Sequence, residues 1–396
     1  MSKKIAYILD IFPTVSETFI INEIVTVEKL DLETVIFSRK KPVGEIPHEE
    51  AGRLARKTIY FPDPKNISFI QSCADHLRLL RKDPSQYIKT FLFSVQNNKA
   101  GLLWFFKIAG SYALLIEKHK PDHIHAHFAS LAGEYAMLIA MLLDIPYTFT
   151  AHGWHDIFEY PPQNFHQRGM QAKKVITVSQ FNKDFMIQKF DIPAEKISVI
   201  HCGIRPELFT ANGRTPGSDL RILSIARLHP IKGVEYLVKA CKLLKEWDNR
   251  FTCHIIGDGE LREQIARLIQ KFGLEQEVIL EGAQPAEEVR RQLALANVYV
   301  NSSLCEGLSV SIMEAMAARL PVVATRVTGI AELIENKVNG YLVEPKNETE
   351  LAAALQKMII DPDHGRKMGE LNRRRIETDF ALDPEVKKLI HEWNHV

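Results

Sequence analysis

The stretch NSSLCEGLSVSIMEAMA, residues 301–317, is the most informative part of this sequence. It predicts the end of a strand, a loop, and a helix that begins near residues 307–311. Glu306 lies in the loop and Glu314 in the helix, where small and apolar neighbours argue against a simple surface charge. Carboxylates accept hydrogen bonds from vicinal hydroxyls, and unpaired N–H groups at a helix start bind phosphate oxygens. The N–H groups concerned are those of Leu308, Ser309 and Val310.

Two cations at another strand end fit the same kind of ligand. Arg227 directly follows a predicted strand, and Lys232-Gly233 comes shortly after it. A guanidinium fork and a mobile ammonium suit a diphosphate, although a solvated pair of loop charges is the alternative interpretation. Gly257-Asp258-Gly259 follows a further strand and predicts a tight turn in which the backbone at Gly259 approaches the ligand. Arg262 occupies the position where a complete GxGxxG fingerprint needs glycine.

Working outward, short β-branched runs alternate with helical segments along the whole chain, which is typical of parallel α/β units. Residues 203–218 interrupt this alternation with Gly, Pro and Asn and predict a linker near residue 205. The predicted fold class is therefore α/β, with two open parallel-sheet domains at residues 1–204 and 205–383. Because ligands bind beyond the carboxyl ends of such strands, we expect the domains to face each other across a cleft.

The strands and helices that support this division can be given individually. Residues 65–120 are predicted to be mainly helical. Strands are predicted at Lys4–Asp10, Thr34–Ser38, His123–His127, Tyr147–Ala151, Val175–Val178 and Ile197–Ile200 in the first half, and at Arg221–Ala226, His254–Gly257, Val278–Glu281, Val298–Asn301, Val322–Ala324 and Tyr341–Val343 in the second.

Composition excludes several functional classes. The 396 residues are 46% hydrophobic and 25% charged with a net charge of +1, which is typical of a soluble globular protein and gives no support for a general nucleic-acid binder. Five cysteines without a CxxC pair favour free thiols in a reducing compartment, and no signal peptide is evident, so a cytoplasmic protein is expected. The basic excess in residues 39–89 and the apolar run Leu102–Phe106 are candidates for peripheral contact with an anionic membrane; a buried helix is the alternative for the run.

The histidines are the notable feature of the first half. His123, His125 and His127 alternate, so on a strand they share one face. A metal site would need a further ligand that the sequence does not identify, so the preferred interpretation is that one or two line the strand end and the others pack. His152 follows another strand and precedes Gly153, which places it at a carboxyl end, with a core histidine as the alternative. Asp361-Pro362-Asp363 matches a DxD metal motif only in its letters.

Together these motifs resemble a known family, the retaining glycosyltransferases of family 4 (group 1), which have the GT-B fold of two Rossmann-like domains. The resemblance is carried by Arg227 with Lys232-Gly233, by EGLSVSIMEAMA at 306–317, and by the stretch ATRVTG that ends at Gly329. FPTVSETFI (12–20), HIHAHFA (123–129) and YTFTAHGWHD (147–156) further resemble bacterial exopolysaccharide enzymes of the colanic-acid type.

The resemblance implies roles for individual residues. Arg227 and Lys232 would bind the donor diphosphate, Glu314 the ribose and Glu306 the donor hexose, and the helix from residue 384 to 396 would cross back onto the first domain. Many relatives carry Asp near the linker where this chain has Arg205. The implied sets are His152, Glu306, Arg227 and Lys232 for catalysis; Arg227, Lys232, Gly259, Glu306, Gly307, Leu308, Ser309, Val310 and Glu314 for the donor; and Ser16, Glu17, Thr18 and His127 for the acceptor.

The implied reaction moves a hexose from a nucleoside diphosphate sugar, with UDP-hexose preferred, to a glycan or lipid-linked oligosaccharide. The family chemistry retains the anomeric configuration and uses no metal, so no cofactor is expected beyond the sugar nucleotide itself. A nucleotide-sugar epimerase on the same fold and a sugar-nucleotide-binding subunit without catalytic activity are the two alternatives. The first would act on the donor without any acceptor.

Overall fold

The chain folds around two parallel sheets, each in its own unit. A computed structural model describes residues 3–14, 17–42, 49–98, 101–211 and 219–395. Unit 1 comprises Met1–His201 and Leu382–Val396, and unit 2 comprises Cys202–Ala381. The chain thus passes from unit 1 to unit 2 after His201, three residues before the predicted boundary at 204. It returns to unit 1 after Ala381, two residues before the predicted end of the second domain at 383.

Unit 1 contains a seven-stranded sheet in the order β3-β2-β1-β4-β5-β6-β7, with every pair parallel. Its elements are β1 (Lys4–Ile11), α1 (Thr18–Lys29), β2 (Glu33–Lys40), α2 (Glu49–Lys57), β3 (Ile59–Tyr60), α3 (Phe69–Lys82), α4 (Pro84–Gln96), α5 (Leu102–Glu117), β4 (His123–His127), α6 (Leu131–Leu143), β5 (Tyr147–Ala151), α7 (Phe165–Gln171), β6 (Lys174–Thr177), α8 (Gln180–Phe190) and β7 (Ile197–Val199).

Unit 2 contains a six-stranded parallel sheet in the order β10-β9-β8-β11-β12-β13. Its elements are β8 (Leu220–Ile225), α9 (Val234–Glu246), β9 (Phe251–Ile256), α10 (Arg262–Lys271), β10 (Val278–Gly282), α11 (Ala286–Leu295), β11 (Val298–Asn301), α12 (Val310–Ala317), β12 (Val322–Thr325), α13 (Ile330–Leu333), β13 (Gly340–Val343), α14 (Glu348–Ile360) and α15 (Pro362–Asp379).

The central strands are buried on both faces because helices cover both sides of each sheet. In β4, β5, β11 and β12 every residue is buried. This explains why these strands are continuous apolar or histidine-rich runs rather than alternating ones. The structure also contains β3, a two-residue strand that is too short to leave a pattern in the sequence.

Strand order reverses once in each sheet, and these switch points position the candidate residues. In unit 1 the reversal lies between β1 and β4, and in unit 2 between β8 and β11. Ligands of open parallel sheets bind where the strand order reverses, beyond the carboxyl ends. The residues that follow β8 and β11 include Arg227, Lys232 and Glu306, while β4 ends at His127. Both halves of the sequence therefore place their polar motifs at a switch point.

The last helix, α16 (Leu382–Asn394), belongs to unit 1 although it follows unit 2 in the chain. It begins two residues before the predicted helix at 384–396. Trp393 is fully buried, and its indole N–H donates to Thr148 Oγ1 at 3.1 Å. This bond attaches the end of the chain to β5, inside the sheet that carries the histidines.

Candidate active site

An ion pair joins the two loops at the switch point of unit 2. Lys232 Nζ lies 2.6 Å from Glu306 Oε1, and the Ser303 hydroxyl donates to the same oxygen at 2.8 Å. Asn301 Nδ2 lies 3.5 Å from it. The side chains of Lys232 and Glu306 are 25% and 11% exposed. An ammonium and a carboxylate are thus kept close together, largely shielded from water but still accessible to a ligand.

The backbone around Lys232 explains why glycine follows it. Gly233 has φ +56°, and a Cβ at this position would lie 2.3 Å from the carbonyl oxygen of Ser302. The Ser302 hydroxyl in turn donates to the Lys232 carbonyl oxygen at 3.0 Å. The two loops therefore approach each other so closely that only glycine fits between them, and this contact fixes the position of Lys232.

The main chain of Glu306 is held by a residue from a third strand end. Its N–H donates to Thr328 Oγ1 at 2.8 Å, and the same hydroxyl donates back to the Glu306 carbonyl oxygen. Thr328 follows β12 and lies in the ATRVTG stretch. Thr328 thereby fixes the Glu306 backbone, independently of the contacts of the Glu306 side chain.

Arg227 differs from Lys232 in having no partner. Its side chain is exposed, and it makes no hydrogen bond or ion pair with any residue in the part of the chain that the structure describes. A guanidinium of this kind offers its full set of donors to a ligand. Arg227 and Lys232 are therefore not equivalent: one is available and the other is preorganised.

The start of α12 also leaves donors available. Its N-cap is Ser309, as the sequence predicts for a helix beginning near 307–311, and no side chain caps the first turn. Gly307, Leu308 and Ser309 are buried, so the loop is packed against the unit while its N–H groups point from the helix start. The positive end of the helix dipole adds to the attraction for an anion.

Glu314 lies one turn into α12, and the pKa of its carboxyl group is strongly raised. Burial raises its pKa to about 7, against a smaller opposing effect of Arg290. Burial also raises the pKa of Tyr299, and the charges of Glu314 and Glu306 add to that shift. Because both carboxylates act on one buried hydroxyl, they lie in the same neighbourhood, as a shared ligand requires.

The turn at Gly259 has a structural explanation different from the predicted one. A Cβ on Gly259 would lie 2.5 Å from the Leu228 carbonyl oxygen, and the Leu228 N–H donates to Asp258 O at 2.9 Å. The close approach that requires glycine is thus between the loops after β8 and β9. Gly259 acts on the site by supporting the loop that carries Arg227, and its backbone contact with a ligand stays a prediction.

In unit 1 a buried carboxylate shapes the turn that carries His152. Asp156 is 1% exposed and accepts hydrogen bonds from the backbone N–H groups of Ala129, His152 and Gly153 at 3.0, 3.1 and 2.9 Å. Burial raises the pKa of Asp156, and these bonds oppose the shift. Asp156 therefore joins the loops after β4 and β5 and fixes the main chain of His152.

His152 and His127 contact each other at the carboxyl ends of these strands. His127 Nδ1 lies 3.0 Å from His152 Nε2, and His127 Nε2 lies 3.2 Å from Glu23 Oε1. Burial, followed by the effect of His127, holds the pKa of His152 well below its usual range. His127 was predicted to contact the acceptor, but both of its ring nitrogens are engaged inside unit 1. The structure therefore places it behind His152.

The other two histidines pack in the interior. His123 Nε2 and His125 Nδ1 lie 2.9 and 2.8 Å from the Thr148 hydroxyl that also accepts from Trp393. Burial lowers the pKa of His123 to about 3 and holds that of His125 well below its usual range. These two residues follow the predicted alternative of packed histidines.

The carboxylate that the sequence did not identify is Glu23. Its ligand atom and those of His125 and His127 all lie within 4.8 Å of one another. Glu23 lies on α1, whose neighbouring residues Ile20, Ile21, Ile24 and Val25 are buried. A charged residue inside such an apolar helix face is the signal by which the sequence alone points to it.

The predicted acceptor residues lie at the start of α1. Thr18 is the first residue of the helix and Glu17 its N-cap, whereas Ser16 lies outside the described residues. Burial raises the pKa of Glu17, while a hydrogen bond from Thr14 and the effect of His127 lower it. Glu17 thus shares its surroundings with the histidine pair.

Comparison with known proteins identifies the family to which this chain belongs. Residues 207–375 match the family described as "Glycosyl transferases group 1", and residues 80–208 match "Glycosyltransferase Family 4". The amylovoran biosynthesis glycosyltransferase AmsK of Erwinia amylovora is 30% identical over 93% of this chain and 94% of its own. WcaL of Escherichia coli, whose name assigns it to colanic acid biosynthesis, is 27% identical over 98% and 99% of the two chains.

A solved structure shows the same architecture. HepE of Anabaena, crystallised with UDP-glucose, aligns with a TM-score of 0.74 and 18% identity over 99% of this chain and 100% of its own. The GT-B fold predicted from the motifs is thereby confirmed. With a relative at 30% identity along nearly its whole length, the chain belongs to the group 1 glycosyltransferases.

Proposed function

We propose that the protein transfers a hexose from a UDP-hexose to a glycan or lipid-linked oligosaccharide in bacterial exopolysaccharide synthesis, without a metal ion and with retained anomeric configuration. The observation that carries the proposal is the Lys232–Glu306 ion pair beside the uncapped start of α12 and the unpaired Arg227. A relative named for amylovoran biosynthesis and the binding of UDP-glucose by HepE support the acceptor and donor classes.

The arrangement in unit 2 suits a diphosphate that leaves from a sugar. As the bond between the anomeric carbon and the phosphate oxygen breaks, negative charge grows on the diphosphate. Lys232 and the N–H groups of α12 are fixed donors for that charge, and such donors accelerate transfer because they need no reorganisation, while the exposed Arg227 is available to add its own donors. The acceptor oxygen bonds to the anomeric carbon on the face that the phosphate leaves, and its proton passes to the departing phosphate oxygen.

The two glutamates have separate roles in this proposal. Glu306, held by Ser303 and Lys232, accepts hydrogen bonds from hexose hydroxyls, and Glu314 accepts them from the ribose. In unit 1, His152 contacts a hydroxyl of the transferred sugar, while Glu17 and Thr18 contact the acceptor. Each of these roles assigns one polar group of the ligand to one fixed group of the protein.

Thermal shift with a panel of sugar nucleotides tests the donor. A ligand that binds only the folded protein raises its stability, by about 2.7 kcal/mol at one hundred times its Kd. We expect UDP-glucose and UDP-galactose to raise the melting temperature and GDP-mannose and ADP-glucose not to do so. Arg227→Ala should abolish the shift, whereas Arg267→Ala, an exposed arginine on α10, should keep it. Equal shifts with all four nucleotides would contradict the UDP assignment.

Incubation of the enzyme with the donor alone separates the proposed transfer from epimerisation. A transferase leaves the sugar of UDP-glucose unchanged until an oligosaccharide acceptor is added, whereas an epimerase produces an isomeric sugar nucleotide. Binding without either product would instead identify a sugar-nucleotide-binding subunit. The same incubation with EDTA tests metal independence, because a metal-dependent enzyme would lose its transfer activity.

Peripheral membrane contact is also proposed, through cations of the predicted basic stretch 39–89 but with a different apolar surface from the predicted run. Leu102 and Phe106 are buried, and Arg53 pairs with Glu28 at 2.7 Å. Among the described residues, no helix has the length and apolar character needed to cross a membrane. Within the predicted run only Trp104 is strongly exposed, at 54%, whereas four exposed apolar residues form a stripe on α4 at helical spacing: Ile88, Phe91, Leu92 and Val95, which are 50, 42, 49 and 45% exposed.

Exposed cations accompany this α4 stripe, namely Lys89 on the same helix and Arg78 and Arg81 on α3. Apolar side chains flanked by basic ones favour an anionic bilayer surface. Flotation with anionic liposomes should be lost in the Phe91→Glu/Leu92→Glu variant and kept in the Arg53→Glu/Arg56→Glu/Lys57→Glu variant. The reverse result would return the contact to the α2 region.

A further inference from the structure

Three side chains from three elements form a line that ends at His152. Glu23 comes from α1, His127 ends β4, and His152 follows β5. The two contacts that join them are 3.2 Å, from Glu23 Oε1 to His127 Nε2, and 3.0 Å, from His127 Nδ1 to His152 Nε2. His127 is completely buried, whereas His152 is partly exposed. The inner end of the line is therefore shielded and its outer end reaches the surface of unit 1.

The chemistry of the groups assigns the protons along this line. A carboxylate carries no proton, so the contact with Glu23 requires the proton of His127 on Nε2. In a neutral ring this leaves His127 Nδ1 as an acceptor, and it must receive the Nε2–H of His152. The remaining nitrogen of His152, Nδ1, then has a free lone pair. The Glu23 carboxylate, two contacts away, thus determines which nitrogen of His152 carries the proton.

The surroundings hold each ring in place. The Tyr7 hydroxyl donates to the same oxygen of Glu23 at 3.0 Å, and the Tyr7 ring lies parallel to that of His127, 6.0 Å between centres and 6° between planes. Phe19 and Phe128 flank His152 with ring centres 4.8 and 4.7 Å away. These contacts restrict rotation of both imidazoles, so the order of donors and acceptors is kept.

We propose that Glu23 is a positioning residue that, through His127, presents His152 Nδ1 as a hydrogen-bond acceptor for a hydroxyl of the bound sugar. The inference rests on the role of His152 in the proposed function. It adds a residue on α1 to the machinery of transfer and states which atom of His152 meets the ligand. It also explains why a glutamate occupies a helix face that is otherwise apolar.

A metal ion at Glu23, His125 and His127 is the competing use of the same side chains. Coordination would require lone pairs that are already engaged. His125 contacts Thr148 and Thr150 with its two nitrogens at 2.8 and 3.2 Å, and His127 uses both of its own. A bound metal would therefore break several hydrogen bonds among buried groups, whereas the contacts from Glu23 through His127 to His152 leave all of them in place.

Replacement of Glu23 by glutamine tests the proton assignment directly. In Glu23→Gln the side-chain amide offers an N–H donor as well as an oxygen; when the N–H faces His127 Nε2, the His127 proton moves to Nδ1 and the bond to His152 reverses. We expect nitrogen-15 NMR to show the proton of His152 on Nε2 in the wild-type protein and on Nδ1 in the variant. This readout needs no substrate, so it can fail or succeed independently of the proposed transfer reaction.

Kinetics with UDP-hexose and an acceptor test the functional part. We expect Glu23→Gln to lower kcat by about 10- to 100-fold, the usual effect of losing the partner that orients a functional histidine. The KM for the donor should stay within about twofold, because the donor-binding groups of unit 2 are untouched. Glu28→Gln is the matched control on the same helix: Glu28 pairs with Arg53 and should show neither the NMR change nor the loss of rate.

Three results would overturn the proposal. An unchanged His152 spectrum in both Glu23→Gln and Glu23→Leu, the second of which has no oxygen to accept from His127 Nε2, would show that the carboxylate does not determine the proton position. Tight stoichiometric binding of Zn²⁺ to the wild-type protein, lost in Glu23→Gln and accompanied by loss of activity in EDTA, would assign the three side chains to a metal instead. A changed spectrum with an unchanged kcat would remove His152 Nδ1 from the transfer reaction.

Discussion

The polar clusters at the two switch points differ in how fully the protein uses their hydrogen-bonding groups. In unit 1, Thr148 joins His123, His125 and Trp393, and the next histidine is held between Glu23 and His152. In unit 2, the side chain of Arg227 has no partner among the described residues, and no side chain caps α12. Apart from the buried Nδ1 of His123, which has no partner among the described residues, the unit 1 cluster is closed except at His152, whereas the unit 2 cluster is open.

This difference separates structural from ligand-binding polar groups. Buried polar groups that satisfy one another stabilise a unique interior, and their loss lowers stability. Groups fixed in place but left without partners contribute little to folding and are available to a ligand. We therefore expect substitutions in the unit 1 interior, outside the contacts from Glu23 to His152, to affect unfolding and substitutions in the unit 2 loops to affect turnover.

The largest effect is expected for Lys232→Ala. Loss of one fixed donor to a developing anion lowers kcat by roughly 100- to 1000-fold, while Ser303 still holds Glu306 and preserves the fold. Steady-state transfer from UDP-hexose and thermal unfolding measure the two properties. Lys245→Ala removes a similar ion pair, to Glu277 at 2.8 Å, and serves as the control with normal turnover. Equal losses of turnover in both variants would refute the interpretation that the polar groups of the unit 2 loops act on a ligand.

Thr148→Val should show the opposite pattern. Valine has the same shape but leaves His123, His125 and Trp393 without their shared partner, so the free energy of unfolding should fall by about 2–3 kcal/mol. Urea denaturation measures this loss, and kcat per folded molecule should remain near the wild-type value. The comparison between units would fail if turnover fell while stability did not.

Glu314 should make donor binding depend on pH. Its carboxyl group has a pKa of about 7 because of burial, and in the proposed function the ribose hydroxyls donate to the ionised form. Affinity for UDP-glucose should therefore rise about tenfold between about pH 6 and pH 8, as the ionised fraction increases. Isothermal titration calorimetry across this range should show the rise in the wild-type protein and a flat profile in Glu314→Gln. Parallel profiles would exclude contact between Glu314 and the donor.

The raised pKa of Glu314 also predicts how the stability of the protein changes with pH. A carboxyl whose pKa is raised in the folded state binds more protons folded than unfolded between about pH 4.3 and 7. Its contribution is thus complete below that range and is lost as the pH rises through 7. Glu314→Gln should melt at a higher temperature than the wild-type protein at about pH 8, and the difference should shrink at about pH 5.

The smallest effect is expected for Ser303→Ala. It removes one of the hydrogen bonds to Glu306 Oε1 and leaves the ion pair with Lys232, so a loss of about 1 kcal/mol, or roughly fivefold in kcat/KM, should follow. Measurement with UDP-hexose at subsaturating concentration gives kcat/KM directly. A loss as large as that of Lys232→Ala would mean that the serine itself contacts the ligand.

The fold was largely predictable because strand boundaries depend on local residue patterns. β4, β5 and β11 begin and end where the sequence predicts. The three helices between residues 69 and 117 also follow from local periodicity. The edge strand β3 was not predicted, because two residues cannot display a period. The points at which the chain passes between the units depend on packing that no short stretch encodes.

The candidate sites were predictable only in part, for the same reason. Lys232, Glu306 and Glu314 belong to motifs with recognisable spacing. Glu23 lies 104 residues from His127 in sequence, and only the pairing of β1 with β4 beside α1 brings them together. The sequence HIHAHFA likewise does not predict that both His127 nitrogens have partners, because those partners come from distant parts of the chain.

The position of unit 2 within the chain has an evolutionary consequence. It is one uninterrupted segment, Cys202–Ala381, placed between two segments of unit 1. Its ends are neighbours: the Ile204 N–H donates to Phe380 O at 3.0 Å, and Ile204 pairs with Ala381. Recombination of a single internal gene fragment would thus exchange the complete unit with adjacent splice points. Under the proposed function such a chimera would inherit new donor preferences, while α16 and its tryptophan stayed with their original sheet.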